Sequence, residues 1–237
     1  MIKTLEEGFN RLKLPYSKDI DNKFVLYREL LKEWNKKINI TSIEEDEEIY
    51  IKHFLDSVLL LNEDNINENK TVIDVGTGGG FPGLPLKIIN DNYKITLLDS
   101  LRKRIDFLSE ITKDLELKDV KLIHGRAEDY GQNKEYRECY DICVSRAVAP
   151  LNVLSEYCIP FVKAGGYFAA YKSDNISQEI SNSDSAIKKL GGKIKEIKEI
   201  YLPGTDIIRK IVIIEKVEPT KIKYPRKAGK PSKDPLK

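Results

Sequence analysis

Residues 71–83 read TVIDVGTGGGFPG. A short apolar, β-branched run carries one acid, Asp74, and five glycines follow it within nine positions. A strand that breaks into a glycine turn and then a helix is the usual seat of a nucleotide-like ligand. Downstream the same texture repeats. KITLLD (94–99), VKLIH (120–124), YDICVS (140–145) and GYFAAY (166–171) are apolar runs short enough for buried strands. Between the first two of them, LRKRIDFLSEITKDLEL (101–117) sets Leu101, Ile105, Leu108, Ile111 and Leu115 on one helical face. Strands alternating with helices predict an α/β, Rossmann-like fold with a mostly parallel sheet covered on both sides. KIKEIKEIYL (193–202) and DIIRKIVIIEK (206–216), joined by a short Pro-Gly connection, read as a closing antiparallel pair.

Upstream, no convincing strand precedes residue 71. FVLYRELLKEWNKKI (24–38) and EDEEIYIKHFLDSVLLL (45–61) place apolar side chains at helical spacing. Thr41 and Ser42 offer an N-cap for the second helix, with Glu44 and Glu45 at its positive end. The polar NEDNINENK (62–70) marks a boundary near residue 66. The expected organisation is an N-terminal helical extension (1–66), a Rossmann-like domain (67–220) and a tail (221–237).

Composition sets bounds on this reading. The chain has 237 residues, 41% hydrophobic and 33% charged, enough for one domain with an appendage and a real core. It contains no run of about 18 uncharged apolar residues, which predicts no membrane span. Glu6 and Glu7 fall where a signal peptide needs an apolar region, so the expected location is cytoplasmic. Cys139, Cys143 and Cys158 form no C-x-x-C pair and read as small buried hydrophobes. The net charge of +2 hides a segregation: the tail KIKYPRKAGKPSKDPLK carries seven Lys/Arg and one acid, a net +6, against −4 for the rest. Such a tail suits a polyanion such as RNA, or a solvated arm that keeps the protein soluble, and the segment alone leaves both open.

Two ligands compete for the glycine turn. Gly78-x-Gly80-x-x-Gly83 matches the dinucleotide fingerprint, with Asp99 nineteen residues after Gly80 in place of a ribose-binding acid. The alternative frame is Asp74-x-Gly76-x-Gly78-x-Gly80. A carboxylate beside a pyrophosphate is repulsive, whereas the sulfonium and ammonium of S-adenosylmethionine would be attracted to it. Asp74 therefore favours the methyl donor. Asp99 suits a ribose in either frame, and Ala127 and Glu128, in HGRAEDY after the third strand, are placed to read an adenine. Taken singly, Asp99 also reads as a helix N-cap and Glu128 as a solvated loop acid.

The fourth strand ends in SRAVAPL (145–151). The Asn/Asp-Pro-Pro-aromatic loop used to methylate exocyclic amines is absent, and so is the Pro-Cys nucleophile used for pyrimidine carbon. An acceptor needing neither nucleophile nor base remains, and guanine N7, with a free lone pair, fits.

DVGTGGGFPGLPLKI, LLDSLRKRIDFL, HGRAED, DICVSRAVAPLNVL, WNKKINITSI, HFLDS and YPRKAGKPSKDPL together resemble the bacterial 16S ribosomal RNA guanine-N7 methyltransferases, once called glucose-inhibited division protein B. The resemblance runs from about Trp34 to the last residue. It implies a class I S-adenosylmethionine-dependent methyltransferase fold and methyl transfer from S-adenosyl-L-methionine to guanine 527, in the 530 loop. It implies donor contacts at Gly76, Phe81, Ala127, Glu128 and Arg146, to which the glycine-turn reading adds Asp74, Gly78 and Asp99. The expected partner is 16S ribosomal RNA or the small ribosomal subunit, with the enzyme a monomer. Ser173 departs from the glycine usual in the family after Lys172, and puts the local loop shape in doubt if φ > 0 is required there.

Arg146, directly after a buried strand, is expected at the mouth of the donor pocket, paired with the donor carboxylate or an RNA phosphate rather than in a structural ion pair. His53 reads first as a packing residue and His124 as structural; with two histidines and no cysteine cluster, ligands for a metal are lacking. Phosphate contacts are expected from Lys172 and from Lys221, Lys223, Arg226, Lys227 and Lys230 of the tail. Tyr224 either stacks on a base or packs on the sheet edge. A nicotinamide-dependent oxidoreductase and a non-catalytic RNA-binding module are the competing readings; Asp74 and the closing strands disfavour the first.

Overall fold

The computed structural model describes residues 1–62, 68–146, 149–174 and 176–237. The boundary expected near residue 66, and Ala147 and Val148 of the SRAVAPL loop, lie outside the described residues.

The extension begins with α1 (Lys3–Arg11) and α2 (Lys18–Ile38). Ser17 caps α2 by accepting from the Ile20 N–H, and left-handed Asn39 ends it. The next helix is not the single regular one that its periodicity predicts. It starts as α3 (Asp46–Ile49), widens into a π-helix over Tyr50–Leu55 and closes as α4 (Asp56–Val58). Neither Thr41 nor Ser42 caps it. The N-cap is Glu45, without a side-chain bond, and Asp46 ties the start of α3 to Arg28 and Lys32 of α2. Thr41 instead accepts from the Ile43 N–H and faces His53.

The sheet then alternates with helices: β1 (Thr71–Val75), α5 (Gly83–Ile89), β2 (Lys94–Asp99), α6 (Arg102–Asp114), β3 (Val120–His124), α7 (Ala127–Tyr130), β4 (Tyr140–Arg146), α8 (Leu151–Cys158), β5 (Val162–Ser173) and α9 (Ser177–Lys189). The last two strands, β6 (Gly192–Tyr201) and β7 (Ile208–Lys216), are followed by a short α10 (Lys230–Lys233). The seven strands lie in the order β3-β2-β1-β4-β5-β7-β6. β1 to β5 pair in parallel, and β7 inserts antiparallel between β5 and β6. The expected parallel sheet with a closing antiparallel pair is therefore observed. Ser173 raises no difficulty, since it pairs opposite Arg209 at the extended end of β5.

Alternate residues of the central strands feed two cores. Val72, Leu97, Val144, Ala169 and Ile211 face the extension with α5 and α6; Ile73, Leu98, Cys143, Ala170 and Val212 face α8 and α9. The extension is thus one of the sheet's two covering layers. Cys143 and Cys158 are buried as expected, whereas Cys139 is exposed. Among the described residues no helix is long and apolar enough to cross a membrane.

Candidate functional site

The crossing between β1 and β4, with helices leaving on opposite faces, puts a cleft at the carboxyl ends of the strands. Its floor is the glycine turn. Gly76, Gly78 and Gly80 all have positive φ, and the Gly76 and Thr77 N–H groups donate to the Leu98 carbonyl of β2. A side chain at Gly80 would meet the Tyr27 hydroxyl at 2.4 Å, so only glycine fits there, whereas the space over Gly78 is open.

Asp74 lies beneath this turn. Fully buried, its Oδ2 accepts from the Gly83 N–H at 2.8 Å and the Thr77 hydroxyl at 2.7 Å, while Oδ1 has no partner. Burial raises its pKa to about 7 against the two hydrogen bonds that lower it. Asp74 lines neither hollow of the cleft, so it shapes the turn from below instead of meeting the ligand, a correction to its expected contact role.

Two hollows meet at Gly76, Asp99 and Ser100. The first, 360 Å³, is lined by Gly78, Phe81, Arg104, Arg146, His53 and Thr41; the second, 250 Å³, by Ala127, Glu128, Tyr157 and Ser232. Asp99 holds the junction: Oδ2 accepts from the Gly78 N–H at 2.9 Å and from Arg104 at 3.3 Å, and Oδ1 from the Leu101 N–H at 2.9 Å. Asp99 is not the N-cap of α6, the alternative reading from sequence: that position is Leu101, which makes no side-chain cap bond. Gly76, Gly78, Phe81, Asp99, Ala127, Glu128 and Arg146 come together as the sequence predicts, from β1, β2, β3 and β4.

The roof comes from the extension. The π-helical turn carries His53 over Phe81, ring centroids 4.5 Å apart and nearly parallel, and Tyr27 stacks on the same ring at 5.4 Å. Tyr27 also donates to the Gly79 carbonyl at 2.5 Å. Arg146 donates from Nη2 to His53 Nδ1 at 3.2 Å, and from Nη1 to the Lys52 carbonyl and Asp56 Oδ2, both at 3.0 Å. A guanidinium can only donate, so Nδ1 is bare and His53 Nε2–H donates to Thr41 Oγ1 at 2.8 Å. Burial, reinforced by the Arg146 charge, lowers the His53 pKa to about 3. The ion pair that the sequence reading placed second for Arg146 is thus present, shared through Asp56 with Arg209 at 3.0 Å. Thr41, Arg104, Tyr157 and Ser232 also line the hollows and carry no sequence signal for it, because only the packing of their segments in the fold brings these side chains to the cleft.

Of the expected RNA contacts, Lys172 donates to Glu179 at 2.6 Å and to the Ala149 carbonyl at 2.8 Å. Tyr224 is buried, and Arg226 forms a two-pronged bond with the fully buried Glu156. Tyr224 thus takes the packing alternative, and Arg226 faces inward, a correction to its expected RNA contact. Lys221, Lys223 and Lys227 are exposed, and exposed Lys230 pairs with Asp234 at 2.9 Å. Arg102, Lys103 and Arg126, beside the cleft, are exposed and form no ion pair among the described residues.

Residues 20–208 match the family described as rRNA small subunit methyltransferase G (GidB). The Ribosomal RNA small subunit methyltransferase G of Clostridium botulinum (strain Loch Maree / Type A3) is 52% identical, and that of Alkaliphilus metalliredigens (strain QYMF) 50%, each over 98% of both chains. Among solved structures, Aeropyrum pernix fibrillarin with natively bound S-adenosyl-L-methionine superposes with TM-score 0.53 at 17% identity, covering 68% of this chain and 73% of that one. A SAM dependent methyltransferase from Aquifex aeolicus gives TM-score 0.54 at 16% identity, over 74% and 96%. These two likenesses show the fold.

Proposed function

The chain belongs to the rRNA small subunit methyltransferase G family, and on that premise we propose that it transfers a methyl group from S-adenosylmethionine to N7 of a guanine, guanine 527 of the 530 loop in 16S ribosomal RNA. The cleft fits this donor. The open backbone at Gly78 lets a ligand approach the turn, and Asp99 and Glu128 supply carboxylates at two successive strand ends. The nicotinamide reading is disfavoured by the family match over nearly the whole chain. Bound in the cleft, S-adenosylmethionine supplies an electrophilic methyl on a sulfonium.

The observation that carries the choice of acceptor is the state of the groups around the first hollow. Both nitrogens of His53 are engaged, Asp99 accepts three hydrogen bonds, and Cys143 lies behind β4 in the core. No free base or thiol faces the hollow among the described residues. An acceptor that must lose a proton is therefore poorly served, and N7 of guanine loses none. Its lone pair forms the new N–C bond, the S–C bond breaks with its electrons on sulfur, and the positive charge passes from sulfur to the purine. What the protein's residues do is orient and exclude water: Phe81, clamped by Tyr27 and His53, and Arg146, fixed by Asp56, wall the hollow. Lys227, Lys230, Arg102, Lys103 and Arg126 form the proposed phosphate-contacting surface, and Lys172, tied to Glu179, contributes once that pair opens. The proposed location is the cytoplasm, where the small subunit is assembled, and the proposed working form is a monomer.

The test is transfer of labelled methyl to small-subunit ribosomal RNA and particles from cells lacking this gene, followed by mapping of the labelled base. Label at N7 of one guanine in the 530 loop is the expected result. Label on another atom or base, or none despite donor binding, sinks the assignment of the acceptor.

A further inference from the structure

We propose that the basic C-terminal segment, residues 221–237, builds the outer wall of the adenosine half of the donor site, through Ser232 and through the hold of Gly229 on Glu128. This rests on the reading that the cleft takes S-adenosylmethionine.

The segment's composition points to an arm for polyanions, but its packing is that of a fitted strap. Tyr224, Pro225, Pro231 and Leu236 are buried, the first and last in the core under α8 and α9. Its backbone is held by side chains from the β3–β4 connection. Arg137 donates to the carbonyls of Thr220, Lys221 and Tyr224, and Gln132 to those of Ile222 and Pro225. Arg226 anchors the middle on Glu156, through both its side chain and its N–H.

These anchors deliver the chain to the second hollow. Gly229, at φ +80°, turns its N–H onto Glu128 Oε1 at 2.8 Å, fixing one oxygen of the carboxylate that follows β3. Three residues on, Ser232 lines the hollow together with Gly76, Asp99, Ala127 and Tyr157. Its hydroxyl donates to the Gly229 carbonyl at 3.1 Å. The wall facing the strand ends is thus supplied by a segment more than a hundred residues downstream of Glu128. Its effect is to limit the size of the base that fits and to hold Glu128 in one orientation before the donor arrives.

Two variants test this by calorimetry with S-adenosylmethionine and with adenosine, beside thermal melting: Ser232→Trp, at an exposed position, and a chain ending at Ala228. Wild-type protein that binds neither ligand would sink the reading of the cleft itself. If it binds, the expected result is a loss of more than about tenfold in affinity for both ligands in Ser232→Trp with an unchanged melting temperature. The shortened chain, if folded, should lose at least as much. Wild-type affinity for both ligands in folded Ser232→Trp overturns the proposal, as does a folded short chain that loses only RNA binding. Should the short chain unfold, Ser232→Trp alone decides.

Discussion

Asp56 stands between two guanidinium groups, Arg146 at 3.0 Å and Arg209 at 3.0 Å, and is 4% exposed. Removing its charge leaves two partly buried cations facing each other, and breaking a buried pair in this way costs about 3–5 kcal/mol. Asp56→Asn should therefore lower the urea midpoint strongly and, by releasing Arg146 from the cleft wall, lower methyl transfer further than stability alone explains. A midpoint within experimental error of wild type would refute the role given to this pair. His53 gives a pH signature. Its pKa falls to about 3 in the folded state from about 6.5 unfolded, so the unfolded chain binds the extra proton between those values. The stability His53 contributes is complete above about pH 6.5 and is lost as pH falls toward 3. Asp74 runs the other way. Raised to about 7, it keeps a proton that the unfolded chain has released, so its contribution falls as pH rises from about 4 to 7. In His53→Gln the loss of stability on acidification should be shallower by about one proton, read from denaturation midpoints between pH 4 and 7. An identical slope in the two proteins would show that His53 is not held neutral.

At the scale of elements, the strands were legible because apolar runs of five to seven residues bounded by turns have few other uses. The glycine turn, Asp99 and the Ala127–Glu128 pair were legible with them, since strand order alone brings the ends of β1, β2 and β3 together. The π-helical turn was not, because its register depends on what Phe54 and His53 meet across the fold: Phe24 and Tyr27 on one side, Phe81 on the other. The packing of the tail was not legible for a related reason. Seven cations in seventeen residues look solvated, and nothing local reveals that Arg226 meets Glu156 seventy positions away. Composition reports charge and cannot report its partner. The tail's two kinds of cation should separate experimentally. Arg226→Ala strands a fully buried carboxylate and should cost about 3–5 kcal/mol by urea denaturation. Lys227→Ala, at an exposed position, should leave stability unchanged and reduce the salt slope of RNA binding by roughly 0.7. The reverse pattern would restore the arm that composition suggested.

For the whole molecule, the extension and the sheet fold around one core. Phe24, Leu31, Phe54 and Leu55 pack in the same cluster as Val72, Leu97, Phe107 and Val144. The cleft has its floor from β1, its roof from the extension and, in the proposed arrangement, its outer wall from the last residues of the chain. A protein whose site is assembled from three distant segments should not tolerate independent melting of any of them. The single tryptophan permits a direct test, because Trp34 sits on the seam: it donates to Glu110 at 2.9 Å and packs against Phe107, both on α6. Its fluorescence reports the docking of extension on sheet, whereas far-ultraviolet dichroism reports all helices and strands. Coincident urea transitions by the two probes are expected, as for a single cooperative unit. A fluorescence transition at lower urea would mean that the extension undocks first. The roof residues Tyr27 and His53 would then leave Phe81 while the glycine turn stayed folded, and donor binding, followed across the same titration, should disappear with the fluorescence and not with the dichroism.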